Sequence, residues 1–476
     1  MIRRTKIIAT LGPSSGDERT IRLLLKSGVD VVRLNLSHGS QQEHRVLIRI
    51  VRQIAESLDR NVPIMLDLMG PRYRLGTLPN EGRQLRARQN VVLSSSAKES
   101  DVPIGNPELL QHLQPGERVL IDNGRVELRV QRRRPDRVEA RVVTGGLITT
   151  RKGINLPDSD LPFQISRKDK GDIRLAVAES VEYLAASYVG CAADVMAVRR
   201  QIKRSGGDLP VVAKLERARA VEHIDEIVDS ADAVMVARGD LGVEVPLHRV
   251  PTLQKEILES GCHFGKPVIV ATQMLESMIT HPQPTRAEAS DIANTVFEGT
   301  DALLLTGETA AGAHPIKVVR TMVEIIGEAE SYAADHPVRS RERLLTVADS
   351  GGFPEVADAV ARAAVFTAQH LGVRQIVAYS RSGFTARLIA RYRPPVPILV
   401  LTPNKRVACQ MQLLWGVMPL LVTEQTSADG EIILLVENYL KSARLVRPGE
   451  RLIVLMGGSA SDRPKTNLMQ IHQVRR

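Results

Sequence analysis

PVVAKLERARAVEHIDEIVDSADAVMVARGDLGVEVP, residues 210–246, holds two strand-like runs, Val211–Leu215 and Ala233–Ala237, and each runs straight into charged residues rather than a turn. Residues two apart on a strand share a face, so Lys214 and Glu216 are expected to project together, as are Arg238 and Asp240. If the runs are neighbouring parallel strands, about 4.8 Å apart, Glu216 and Asp240 end side by side. Two carboxylates beside a lysine suit a divalent cation and an anionic ligand. Plain surface charges are the alternative, but Lys214 comes before its strand has ended, where lysine is rarely buried unless paired.

Outward from this stretch, short apolar runs alternate with amphipathic segments, the pattern of βα units. The strand candidates are residues 6–10, 29–36, 62–68, 183–189, 211–215, 233–237, 268–272 and 302–306, with helical stretches such as 41–58 and 192–203 between them. Thr285-Arg286-Ala287-Glu288 reads as a capping box. Eight parallel strands, each followed by a helix, predict an α/β fold built on a (β/α)₈ TIM barrel. Residues from about 71 to 162 are too many for one crossover helix and show short alternating runs, 118–121 and 126–130, among Gly, Pro and Asn. They predict a small inserted all-β domain on a βα loop, placed to act as a lid. After a polar stretch at 339–350, a helix at 354–371 and strands near 375–379, 397–401, 417–421 and 451–456 predict a separate, doubly wound α/β domain. The expected division is 1–69 and 165–338 for the barrel, 70–164 for the lid and 339–476 for the last domain.

A chain of 476 residues is long enough for two to four domains. Its three cysteines, Cys191, Cys262 and Cys409, are widely spaced and form neither a metal pattern nor a disulfide framework, which points to a reducing cytoplasm. The amino-terminal apolar run is interrupted at Gly12-Pro13, too early for a signal or membrane segment. A net charge of +10 favours anionic partners, but aromatics make up only 3% and no nucleic-acid signature is present. Small phosphorylated ligands fit best; nucleic acid and membrane are not expected partners.

In a TIM barrel the chemistry sits at the carboxyl ends of the strands. There the sequence places Arg33, Asn35 and Ser37 on the second strand, Asp67 on the third, Ser187 on the fourth, Lys214 and Glu216 on the fifth, Asp240 after the sixth, Thr272 on the seventh, and Thr306 and Glu308 on the eighth. Barrel interiors are otherwise packed with branched apolar residues, so folding does not require this polar ring. Glu216 and Asp240 offer oxygen ligands for Mg²⁺ or Mn²⁺. Lys214 and Arg33 could neutralise a phosphoryl group, and Gly239-Asp240-Leu241-Gly242 could open a short helix whose free N–H groups meet an anion.

The segments KIIATLGPSS, VVRLNLSHG, DLMGP, RKGINLP, KLE, MVARGDLGVEVP, ATQMLESM, PTRAEASDIAN and TGETAAGAHP, in this order along nearly the whole chain, resemble the signature segments of the pyruvate kinase family. The resemblance implies phosphoryl transfer between phosphoenolpyruvate and ADP, giving pyruvate and ATP, in a cytoplasmic homotetramer with a carboxyl-terminal regulatory domain. It implies that Lys214 stabilises the moving phosphoryl group and that Glu216 and Asp240 hold Mg²⁺. Gly239, Asp240 and Thr272 would orient the substrate carboxylate, with Thr272 helping to deliver the proton that makes pyruvate. Arg33 and Arg74 would approach the phosphates and Lys152 would close over the nucleotide, with Asn35 and His38 nearby; His38 is equally readable as a structural histidine. A Mg²⁺-dependent lyase or aldolase on a similar barrel, or an inactive effector sensor, are the alternative readings.

Two local features refine this expectation. Where potassium-dependent family members read Asp-Thr-Lys-Gly-Pro-Glu, this chain reads Asp67-Leu68-Met69-Gly70-Pro71-Arg72. Asn35, Ser37 and Asp67 keep the side chains that ligate the monovalent ion, but Arg72 replaces a carboxylate with a fixed positive charge, so potassium is not expected to be required. In the last domain, Ser380-Arg381-Ser382-Gly383-Phe384-Thr385 lies between a strand and a helix expected near Thr385. Hydroxyls and free N–H groups there make a phosphate nest for an allosteric effector, with Ser380, Ser382, Gly383 and Thr385 as its candidate residues. An ordinary capped turn is the plainer alternative.

Overall fold

The computed structural model describes residues 3–78, 82–95, 101–336, 352–422, 429–457 and 466–475. The polar stretch 339–350 lies outside the described residues. Eight strands, Lys6–Leu11, Val31–Asn35, Ile64–Asp67, Tyr183–Ala186, Val211–Leu215, Ala233–Ala237, Val268–Ala271 and Ala302–Leu305, close into a parallel barrel in chain order, with the first paired to the last. The strands are buried on both faces, which is why they read as continuous Val, Ile, Leu and Ala rather than as an alternation. Outward-facing residues pack under helices such as Gln41–Ser57, whose capping box pairs Ser40 with Glu43. The expected Thr285–Glu288 box opens the helix Arg286–Phe297.

Between the third and fourth barrel strands lie a seven-stranded sheet and a two-stranded ribbon, joining Arg83–Leu85 to Gly146–Ile148. Their own apolar cluster runs from Leu75 to Leu161 and includes no barrel residue. Arg132 and Arg133 are exposed where Val126–Arg133 leaves this core.

The carboxyl-terminal unit is a five-stranded sheet in the order Val417–Leu421, Ile398–Thr402, Ile376–Tyr379, Arg451–Met456, Leu468–Gln473. The first four strands are parallel and the last is an antiparallel edge. Separate apolar clusters cover its two faces, one under Glu355–Leu371 and Phe384–Arg391 and the other under Asp429–Ser442, so it is doubly wound. Sequence reading missed the edge strand: among its six residues only His472 is buried, so no apolar period announces it.

This unit docks on the floor of the barrel, opposite the strands' carboxyl ends. Leu413 is fully buried in the same cluster as Ile8, Val31, Met65 and Tyr183, and so plugs the barrel from below. Around it Lys6 Nζ donates to the Val417 carbonyl at 2.7 Å, Tyr183 Oη donates to the Gln410 carbonyl at 2.7 Å, and Arg393 pairs with Asp301 at 2.7 Å. Burial pushes the Lys6 ammonium down to about 8, against the pull of Asp30. Leu413→Ala should leave a cavity in this floor and cost about 2–5 kcal/mol in urea denaturation; a loss below about 1 kcal/mol would show that the barrel closes without the plug.

Candidate active site at the mouth of the barrel

The carboxyl ends of the strands carry a buried ionic network centred on Lys214. Its Nζ lies 2.7 Å from Glu216 Oε1 and 3.3 Å from Asp67 Oδ1, and donates to Ser187 Oγ at 2.8 Å. Asp67 is bound a second time by Arg33, whose Nη2 and Nε approach Oδ2 at 2.7 and 2.8 Å; Arg33 Nη1 reaches Thr10 Oγ1 at 2.9 Å. Glu216 accepts the Tyr188 N–H at 2.8 Å through Oε2. The three charged partners of this core are nearly dry, with side-chain exposures of 9% for Lys214 and 1% each for Asp67 and Glu216.

Burial alone would lower the Lys214 ammonium, but Asp67 and then Glu216 outweigh it and leave it raised. The two carboxylates part company for a physical reason. Burial favours the protonated form of Asp67, but Lys214 and Arg33 together overcome that and hold it below the usual range. Burial pushes Glu216 up; Lys214, its salt-bridge partner, does not compensate, and Asp240 nearby raises it further.

Asp240 comes from a different element than the strand rule expected. Residues Arg238–Glu244 form a short helix directly after the sixth strand, so Arg238 and Asp240 do not share a strand face. Arg238 instead grips the Thr272 and Gln273 carbonyls at 2.9 and 3.2 Å and pairs with Asp291 at 2.8 Å. Thr272 likewise lies past its strand, with φ at +71°, and its Oγ1 accepts the Gly239 N–H at 2.8 Å. Gly239 permits this approach, because a Cβ there would sit 3.3 Å from Thr272 Oγ1. The hydroxyl proton of Thr272 is left to donate elsewhere. Glu308 is turned away from the ring: it is buried and accepts from the Thr306 and Leu275 N–H groups. Ser37 lies beyond the strand that ends at Asn35, so strand alternation does not place it.

Two cavities open at this mouth. A well of about 70 Å³ is lined by Arg33, Asn35, Ser37, Asp67, Leu68, Arg72, Ser187, Lys214, Asp240, Thr272 and Thr306, among others. A cleft of about 250 Å³ lies under the inserted domain and is lined by Arg72, Arg74, Asp122, Arg151, Lys152, Tyr188, Arg217, Asp240 and Glu244, among others. Arg72 and Asp240 border both. Lys152 pairs with Asp122 at 2.8 Å, Arg74 donates to the Arg151 carbonyl at 3.0 Å, and Asn155 reaches from the lid to Glu244 at 2.9 Å. His38 is exposed and lines neither cavity; its carbonyl receives His44 Nε2 at 2.8 Å. Sequence reasoning missed Tyr188, Arg217 and Glu244, which enter the cleft from positions where strand alternation no longer applies.

The donor set fits a divalent ion. Glu216 Oε1 is buried with the Lys214 ammonium at 2.7 Å as its ion-pair partner, and Asp240 is close enough to act on the same carboxylate electrostatically. Among the described residues no group of three or more His, Cys, Asp or Glu could cage a metal, so the remaining ligands would have to be substrate oxygens and water, the usual arrangement for Mg²⁺.

Residues 2–319 match the family model described as "Pyruvate kinase, barrel domain", and residues 358–472 match "Pyruvate kinase, alpha/beta domain". The chain belongs to the pyruvate kinase family. It is 38% identical over 478 residues to a pyruvate kinase of Methylorubrum extorquens, covering 100% of this chain and 98% of that one. It is 37% identical over 484 residues to a pyruvate kinase of Staphylococcus aureus, covering 99% and 81%. A solved pyruvate kinase from Cryptosporidium parvum superposes with a TM-score of 0.91 at 31% identity, over 99% of this chain and 96% of the other. Family membership makes the chain an enzyme of this class and carries the family's dependence on a divalent metal.

At the far end of the chain, Ser380 Oγ accepts the Gly383 N–H at 3.0 Å, Ser382 Oγ accepts the Phe384 N–H at 3.4 Å, and the Thr385 and Thr466 hydroxyls meet at 2.8 Å. The helix begins at Phe384, one residue before the expected point, behind a left-handed Gly383.

Asp67→Asn should cost about 3–5 kcal/mol at pH 7, because it leaves two buried cations sharing fewer charges. Asp67's pKa is depressed in the fold, so its contribution is present above the ordinary value of 3.8 and is lost as pH falls through the folded value. Urea midpoints of variant and parent should therefore converge below that pH; a gap that stays constant to pH 3 would contradict the assignment.

Proposed function

We propose that this enzyme transfers the phosphoryl group of phosphoenolpyruvate to ADP, using Mg²⁺ or Mn²⁺ held by Glu216 and Asp240, without a requirement for potassium and under control of a phosphorylated effector. The observation that carries this reading is the dry Lys214 network opening into a small well that shares Arg72 and Asp240 with a larger cleft under the lid. The well suits a small anion and the cleft a nucleotide.

Phosphoryl transfer is mostly positioning and charge neutralisation. Lys214 and Arg33 are aimed at the phosphoryl group from below, fixed by Asp67 so that neither must reorganise during the reaction. The divalent ion, when bound, neutralises the substrate carboxylate and enolate oxygens. Asp240 and Gly239, at the start of their short helix, and Thr272 orient the carboxylate; the free Thr272 proton serves the enolate as it becomes pyruvate. Arg74 and Lys152 line the cleft for ADP and ATP, and the lid excludes water. Asn35 and His38 belong to the nucleotide side by resemblance; the exposure of His38 supports only a rim contact.

Arg72 stands at the edge of the well formed by Asn35, Ser37, Asp67 and Leu68, and its guanidinium supplies the charge that a monovalent ion would. Burial lowers its pKa, yet Tyr188, Asp240 and Glu216 leave it raised, so it is charged throughout the working range. Ser380, Ser382, Gly383 and Thr385 form the effector phosphate loop. The separate apolar clusters support units at 1–69 with 165–338, 70–164 and 339–476. Exposed Val356 and Phe366 on one helix, and Ile471 on the edge strand, support self-association, as a homotetramer. Among the described residues no helix is long and apolar enough to cross a membrane, and the free cysteines support a cytoplasmic setting.

Pyruvate should form only when ADP is supplied with phosphoenolpyruvate, and Lys214→Met should lower kcat by about 10²–10³-fold with secondary structure intact; ADP-independent pyruvate release would favour a lyase instead. Replacing potassium by tetramethylammonium at saturating Mg²⁺ should leave turnover within about twofold, whereas a collapse would show that Arg72 does not do the ion's work. In a screen of sugar phosphates and AMP, the Ser382→Ala, Thr385→Ala double variant should lose the activation that the parent shows. Retention of that response would remove the effector assignment.

A further inference from the structure

Arg72 is useful at the boundary of well and cleft only if its long side chain is held there, and the residue that holds it lies on another strand's end. Tyr188 follows the fourth barrel strand, where alternation along the strand would turn its side chain away from the well. Instead its backbone is left-handed, with φ at +61°, and the ring swings into the cleft. The Arg72 Nε–H donates to Tyr188 Oη at 3.2 Å, and the guanidinium carbon lies 5.9 Å from the centre of the same ring. A hydrogen bond from a cation and a ring face within about 6 Å both favour the charged side chain in this one place.

The loop bearing Arg72 is fitted to Tyr188 as well. Gly70 has φ at +68°, and a Cβ there would come within 2.9 Å of Ser187 Cβ and 3.2 Å of Tyr188 Cδ2, so only glycine lets the loop lie this close. The Arg72 N–H then returns to the Gly70 carbonyl at 2.9 Å, closing the turn. Tyr188 also donates its own N–H to Glu216 Oε2. One residue thus fixes a proposed metal carboxylate through its backbone and the Arg72 cation through its side chain.

We propose that Tyr188 is a positioning residue for phosphoryl transfer, holding the Arg72 guanidinium at the partition between the substrate well and the nucleotide cleft. This rests on the reading that Arg72 replaces the monovalent cation. The Tyr188 side chain lines the cleft and not the well, so its ring and hydroxyl act through Arg72, while the backbone contact to Glu216 is the same whatever the side chain. A phenol is neutral at working pH, so the hydroxyl oxygen is available to accept from Arg72.

The test is a double-mutant cycle in potassium-free buffer at saturating Mg²⁺, with kcat and both KM values measured for the parent, Tyr188→Phe, Arg72→Gln and the double variant. Tyr188→Phe keeps the ring and the backbone and loses only the acceptor. It should lower kcat about tenfold, the scale of a hydrogen bond to a charged group, with KM for ADP within about twofold. In the Arg72→Gln background the same change should cost less than about twofold. Arg72→Lys, which keeps the charge and loses the Nε donor, is the mirror variant and should show the same tenfold loss with no further loss from Tyr188→Phe. A Tyr188→Phe loss that persists undiminished without Arg72, or no loss at all in the parent background, overturns the positioning role alone. Parent-like turnover in Arg72→Gln overturns the cation-replacement reading beneath it.

Discussion

The structure depends on a lysine that cannot leave its charge behind. Lys214 points inward from a strand whose neighbours on every side are apolar, and an ammonium there is tolerable only because Asp67 and Glu216 come with it. Asp67 in turn draws Arg33, so two cations and two carboxylates from three strands and their ends form one dry unit. Such a unit does little for stability compared with an apolar core of equal volume. Its effect is to preset charges that water would otherwise scatter, which is what a transferring phosphoryl group needs.

The barrel divides its labour along its axis. The floor is closed by Leu413 from the carboxyl-terminal unit, with Lys6, Tyr183 and Asp301 making polar contacts around it. The mouth is polar and opens beneath the lid. The last domain therefore meets the barrel at its floor, away from the mouth.

Much of this was legible in the sequence because parallel barrel strands are buried on both faces and so stand out as short apolar runs. The polar exceptions at their ends, Arg33, Asp67, Lys214 and Thr272, were legible for the same reason. What misled was the assumption that alternation continues past the last hydrogen-bonded residue. Arg238 was expected beside Asp240 but turns to grip the Thr272 loop; Glu308 was expected in the ring but caps its own turn. Tyr188 was not singled out, since its place in the cleft comes from one left-handed residue. The edge strand Leu468–Gln473 was missed because an edge buries too little to leave a pattern.

By itself, the sequence determined the order of strands and helices, the interruption by an all-β unit and the family, since these rest on local period and on contiguous segments that survive without any knowledge of contacts. Only the tertiary structure decided that Asp67 has two cations at ion-pair distance while Glu216 has one, and that Arg72 stands between two cavities with Tyr188 against it. Those facts depend on how far apart residues sit once the barrel has closed, and charge, desolvation and hydrogen bonding act over distances in space that spacing along the chain does not encode.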